Sequence, residues 1–154
     1  MTNADTELDI NPIAALPACT ITEALEQPER SRYLNGMCFE LADALQQRYG
    51  YRLGVVWRDE PDDLADEDEN AIMSSIVHVF AIDDNGDALD ICGQRTMIAF
   101  ADDWLQQPSE YGVYRIEAPM AREHIAAEIG EPELVVDLGN LMPLVDATDL
   151  SPMR

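Results

Sequence analysis

The stretch "SIVHVFAIDDNGDALDICG", residues 75–93, constrains the fold more than any other part of the chain. Two runs of alternating, largely apolar residues flank Asp84-Asn85-Gly86. A short polar loop with glycine between such runs specifies a β-hairpin. Loop length then sets which side chains share a face. A three-residue loop with Gly86 in the left-handed position places Asp83 opposite Asp87, Phe80 opposite Asp90 and His78 opposite Cys92. His78 and Asp90 are then diagonal neighbours on one face, within reach of each other. A two-residue Asn85-Gly86 loop would slip the pairing by one and carry Asp90 to the other face. Both residues stand in strands that are otherwise apolar, where an imidazole or a carboxylate needs a polar partner.

Around this hairpin the pattern is mixed. "TITEAL", residues 20–25, has Thr20 followed three positions later by Glu23, which is a capping box at the start of a short helix. Residues 27–36, "QPERSRYLNG", are expected to be a loop. Residues 37–49, "MCFELADALQQRY", form the strongest helical pattern, with Leu41, Ala42, Leu45 and Tyr49 in one stripe, Cys38 on the same side, and Gly50 closing it. A strand is expected over 51–57, and a helix over 96–106 with Ile98, Ala101, Trp104 and Leu105 facing inward. A strand over 111–117, a helix over 120–130 ended by Gly130, and a final strand over 133–138 follow. Helices interspersed with an antiparallel hairpin imply an α+β fold. The 154 residues fit one domain. Within it, residues 1–19 are an arm, 33–95 the core that carries the site, and 96–150 its completion.

Charge is the extreme of the composition. There are 31 acidic residues against 9 basic ones, a net charge of −22, and every basic residue is arginine. Such a field disfavours nucleic acid and favours a basic protein or peptide as partner. It is equally compatible with a surface adapted to high salt, or with arginine replacing lysine through base composition. Eight acidic residues fall between Asp59 and Glu69, either as a solvated loop or as a lid or docking site for a basic partner. No apolar run is long enough for a transmembrane helix, and the N-terminus lacks the pattern of a secretory signal. Cys19, Cys38 and Cys92 form neither a disulfide framework nor a zinc motif, and free thiols fit a reducing, cytoplasmic setting. Neither a metal site nor a cofactor is expected.

Cys38 stands at the expected N-terminus of the 37–49 helix. Unpaired N–H groups there favour a thiolate over a thiol. A nucleophile also needs a base, and the base needs an orienting group. The chain has two histidines, of which His124 falls on the solvated side of a late helix and His78 within the hairpin. A cysteine at a helix start, a histidine in a strand and an aspartate in the next strand make a Cys38–His78–Asp90 triad.

"GMCFELADAL" followed by "VHVFAIDDNGDALDICG" resembles the core of the transglutaminase-like, or papain-like, cysteine enzymes. That group includes transglutaminases, bacterial transglutaminase-like proteases and arylamine N-acetyltransferases. The resemblance covers about residues 33–95. It implies a cysteine-bearing helix packed on a small antiparallel sheet and acyl chemistry through a thioester. In that chemistry Cys38 attacks a carbonyl, His78 moves the proton and Asp90 orients His78. It also implies an oxyanion site from the Cys38 N–H with Asn35 or Tyr33. Gln94 and Arg95 are expected near the site, with Arg95 either binding a substrate carboxylate or forming a structural salt bridge. The chain lacks the length and basic coenzyme A site of the acetyltransferases. A second reading keeps the fold as the scaffold of a non-enzymatic acidic inhibitor or interaction protein, of phage or mobile-element type.

Overall fold

A computed structural model of the chain describes residue 13, residues 16–35, 37–61, 72–107 and 112–132, and residues 136 and 138. Three helices come first: α1 (Ile21–Leu25), α2 (Pro28–Asn35) and α3 (Cys38–Tyr49). Strands β1 (Arg52–Pro61), β2 (Ile72–Ile82), β3 (Ala88–Asp90) and β4 (Gly93–Arg95) follow, then α4 (Met97–Leu105), β5 (Val113–Glu117) and α5 (Arg122–Ile129). The strands form one antiparallel sheet in the order β4-β3-β2-β1-β5. The architecture is α+β, as expected.

Local chemistry sets the element ends. The Thr20 hydroxyl accepts from the Glu23 N–H while the Glu23 carboxylate accepts from the Thr20 N–H, closing the capping box on α1. Gly50 ends α3 in the left-handed conformation, φ 74°, where a Cβ would be strained. Residues 27–36 are not a loop, because α2 occupies most of them. Pro28 is the first helical residue, where a missing N–H costs nothing, so the proline starts the helix instead of breaking it. The strand expected over 51–57 runs on to Pro61, taking in the first acidic residues of the 58–70 stretch. The rest of that stretch lies outside the described residues. So do residues 1–12 of the arm and most of the expected 133–138 strand, of which Val136 and Leu138 are described and belong to no strand.

The core is built from α3 and the centre of the sheet. Phe39, Leu41, Ala42 and Leu45 of α3 are buried against β2 and its neighbours, together with Val55, Val56, Val79, Phe80 and Ala81. Residues 78–83 are buried without alternation, so the end of β2 is covered on both faces. Helix α4 turns differently from the expectation. Phe100 and Trp104 face inward, one turn apart, while Ile98 is 76% and Leu105 59% exposed. Two aromatic rings at i and i+4 bury more surface than the aliphatic pair, and they decide the facing.

Candidate active site

The hairpin loop sets the site. Ile82 pairs with Ala88 and Ala81 with Leu89, the register of the three-residue loop. Asp83 N–H donates to the Asp87 carbonyl at 3.0 Å and Gly86 N–H to the Asp83 carbonyl at 3.0 Å. The Asp83 carboxylate Oδ1 accepts from the N–H groups of Asn85 and Asp87, each at 2.9 Å. Gly86 has φ 84°. One part of the expected hairpin differs. β3 ends at Asp90, the chain turns through Ile91 and Cys92, and Asp90 pairs with Gly93 of β4, so Cys92 does not lie opposite His78 in a ladder.

The register brings His78 and Asp90 together. His78 Nε2 and Asp90 Oδ2 are 2.8 Å apart, with both side chains buried. The second carboxylate oxygen, Oδ1, accepts from the Cys92 N–H at 2.9 Å. The turn that ends β3 thus supplies a donor that fixes the carboxylate. Arg95 Nη2 stands 3.6 Å from the same oxygen, and its Nη1 binds Asp103 of α4 at 2.6 Å. Burial pushes the Asp90 carboxyl up, but the His78 hydrogen bond and charge, Arg95 and the Cys92 N–H together hold it below its ordinary value.

Helix α3 brings the thiol. Its N-cap, Met37, makes no side-chain capping bond, unlike Thr20 on α1 and Thr96 on α4, whose hydroxyls accept from the first turn. At this helix start the backbone N–H groups of Phe39 and of Val79 in β2 act on the Cys38 thiol and lower its pKa. Cys38 is partly exposed, and the His78 ring is a cause of its lowered pKa. With Nε2 held by Asp90, Nδ1 is the ring nitrogen left for it, and Nδ1 is buried with no hydrogen-bond partner among the described residues. Burial raises the Cys38 pKa, but the His78 hydrogen bond and charge and the two N–H groups bring it below 9.0. Burial likewise lowers His78, and the bonds and charges of Asp90 and Cys38 reverse this, raising it to about 9. The Cys38 shift is downward and the His78 shift upward, and each group is a cause of the other's shift.

Two features of the site have no counterpart in the sequence expectations. Opposite His78, β1 and β2 change register: Val56 pairs with His78, but Trp57 pairs with Ile76, leaving Val77 as an extra residue in β2. Such a bulge re-aims the neighbouring side chain and has no signature in an apolar run. The second feature is the wall of rings from α4, with Trp104 at 5.1 Å and Phe100 at 6.3 Å from His78 between centroids. These rings keep water from the His78–Asp90 bond.

Of the other expected site residues, Tyr33 is buried in the core. Asn35 ends α2, and its side chain lies outside the described residues. The Gln94 amide donates to Asp83 at 2.7 Å and Asp87 at 3.2 Å, so it braces the hairpin mouth. Arg95 takes the structural salt-bridge role behind Asp90. His124 is exposed on α5. Among the described residues there is no group of three or more potential metal ligands and no helix long and apolar enough to cross a membrane. Comparison with family models, with curated proteins and with solved structures gives no match to this chain.

Proposed function

We propose that the protein is a cysteine-dependent amide or acyl hydrolase or transferase, of the transglutaminase-like type, working through a thioester. The observation that carries the reading is the Cys38–His78–Asp90 constellation, with a buried 2.8 Å His78–Asp90 bond and, at the start of α3, a thiol whose pKa is lowered by the same ring. A structural cysteine needs neither a lowered pKa nor a histidine with its own carboxylate.

The chemistry follows from the geometry. The Cys38 thiolate adds to a carbonyl carbon and the C=O electron pair moves to oxygen. The Cys38 N–H, at the first turn of α3, is the donor for that oxyanion. Protonated His78 gives its Nδ1 proton to the departing amine or alcohol, leaving the acyl group on sulfur. A water or an amine then attacks the thioester while His78 takes its proton, and the thiolate leaves. Asp90 keeps the Nε2 proton in place, so that Nδ1 alone exchanges with substrate.

Site-resolved alkylation by iodoacetamide against pH tests this reading. Peptide mapping separates Cys38 from Cys19 and Cys92. Cys38 is expected to react well below the ordinary thiol range, with His78→Ala slowing it at pH 7 by about tenfold or more. An apparent pKa at or above the ordinary thiol value, unchanged in His78→Ala, would sink the proposal. A burst of nitrophenol from p-nitrophenyl acetate, leaving an acetyl group on Cys38, supports the acyl step. Binding of a polyarginine peptide that survives Cys38→Ala and fades with salt, without any such burst, would favour the acidic-binder reading instead.

A further inference from the structure

The other two cysteines also meet, away from Cys38. Cys19 precedes α1, and its N–H donates to the Cys92 carbonyl at 2.9 Å. The covalent bonds on either side of that contact limit the two Cα atoms to a separation of at most about 7 Å, the outer span of a disulfide. The neighbouring backbone is just as close, because a Cβ on Gly93, φ 93°, would lie 3.1 Å from Ala18 Cα. The two thiols are free, and each is a cause of the other's shifted pKa.

A cation stands beside them. Arg30 of α2 is buried, at 4% exposure, and its Nη1 donates to Cys19 Sγ at 2.7 Å while Nη2 donates to the Pro17 carbonyl at 3.3 Å. Its Nε is buried with no partner, and among the described residues no carboxylate lies within ion-pair distance of it. A buried guanidinium stays charged and requires a counter-charge. Glu23 feels the Arg30 charge from further off, and the group in direct contact that can supply a counter-charge is the Cys19 sulfur, as a thiolate.

We propose that Cys19 and Cys92 are a modification site: a thiol pair that a hydroperoxide converts to a disulfide, with Cys19 attacking and Cys92 resolving. The Cys19 thiolate forms a bond to one peroxide oxygen, the O–O bond breaks, and the other oxygen leaves as hydroxide or alkoxide. The resulting sulfenic acid is attacked by Cys92 sulfur. The S–S bond forms, the S–O bond breaks, and the Cys92 proton leaves with the oxygen as water. Two electrons pass from the thiols to the peroxide, and an external dithiol reverses the change.

The division of roles follows from the surroundings. The bond from Cys92 lowers the Cys19 thiol to about 7 against the opposing effect of burial, and Arg30 lowers it further. Cys92, bonded to Cys19, buried and facing Asp90, is pushed above the ordinary thiol range. The partly exposed thiol is therefore the anion and the buried one is the proton carrier. Nothing in this depends on how Cys38 is used.

The test uses the full chain carrying Cys38→Ala, so that only this pair reacts, with hydrogen peroxide as probe. The expected product is a monomer lighter by two hydrogens that takes up no iodoacetamide. Trypsin should then release residues 1–30 joined to residues 59–95 through a dithiothreitol-sensitive bond. Oxidation should accelerate with pH along a curve centred near neutrality. Arg30→Met should slow it by about tenfold, while Arg30→Lys retains much of the rate. Oxygen addition to Cys19 without the cross-link, cross-linking between chains, or a rate that rises only in the ordinary thiol range would overturn the proposal. The product and the pH curve of the chain with Arg30 intact decide among these outcomes even if the Arg30 variants do not fold.

Discussion

Asp90 is the residue on which the site turns. It accepts from His78 and from the Cys92 N–H and faces Arg95, all within a buried pocket. Asp90→Asn keeps its shape and removes its charge. His78 then loses a main cause of its raised pKa, and the thiolate–imidazolium pair reverts toward thiol and neutral ring. The two shifts give the sign of the pH dependence. Cys38 is lowered from 9.0, so the pair gains its thiolate below the ordinary thiol range as pH rises. His78 is raised to about 9, so it keeps the leaving-group proton until pH exceeds that value. Acyl transfer is therefore expected on a plateau that falls above pH 9, while plain alkylation, which needs no proton donor, does not fall there. In Asp90→Asn the plateau should narrow from both sides, with the Cys38 alkylation rate at pH 7 down by about tenfold, no more than in His78→Ala. An unchanged pH profile of Cys38 alkylation in this variant would remove Asp90 from the site. Arg95 lies one layer further back, its side chain largely buried, with its Nη1 bonded to Asp103 and its Nη2 3.6 Å from Asp90, which is a structural position behind the carboxylate.

At the scale of elements, the hairpin loop is the part that had to be right. Its length was legible because Asp83, Gly86 and Asp87 each have a physical task. Asp83 caps two N–H groups with one oxygen, Gly86 takes the positive φ, and Asp87 closes the backbone pair. Asp83→Ala removes both cap bonds and the Gln94 contact at 2.7 Å. It is expected to lower unfolding stability by about 1–3 kcal/mol, measured by urea titration, with Asp83→Asn less harmful. A neutral outcome would mean that the strands alone hold the register. Other elements were less legible, for physical reasons. The early end of β3 follows from Asp90 binding the Cys92 N–H, a tertiary arrangement with no periodic trace in "ALDICG". The α2 helix was masked by a proline whose effect depends on its position in the helix. The facing of α4 depended on which of two overlapping apolar stripes met the sheet, and the His78 ring against Trp104 and Phe100 decided it. His78 and Asp90 could be picked out because each breaks an apolar strand, and Cys38 because it stands at a helix start; the bulge at Val77 and the ring wall leave no such trace.

The whole molecule carries a charge that its ion pairs do not neutralise. Many of the arginines are already committed: Arg115 to Asp59, Arg122 to Asp43 and Glu131, Arg95 to Asp103 and Asp90, Arg58 to Glu60, and Arg30 to a cysteine. With 31 acidic residues against 9 basic ones, most carboxylates must face like charge. Two effects of salt then oppose each other. Screening weakens exposed pairs such as Arg115–Asp59, each contributing at most about 1 kcal/mol. Screening also relieves repulsion summed over a net charge of −22, and this repulsion acts across distances of the order of the Debye length, about 30 Å at 0.01 M and about 3 Å at 1 M. The long-range sum outweighs a few local pairs. The melting temperature is therefore expected to rise by about 5 °C or more between roughly 10 mM and 500 mM sodium chloride. Most of that rise should come by about 100 mM, where the Debye length falls to the spacing between neighbouring surface charges. Potassium chloride should act alike, since screening depends on ionic strength and not on the ion. A melting temperature that falls with salt would instead make the arginine pairs the dominant electrostatic contribution, and a rise specific to one cation would replace screening with binding.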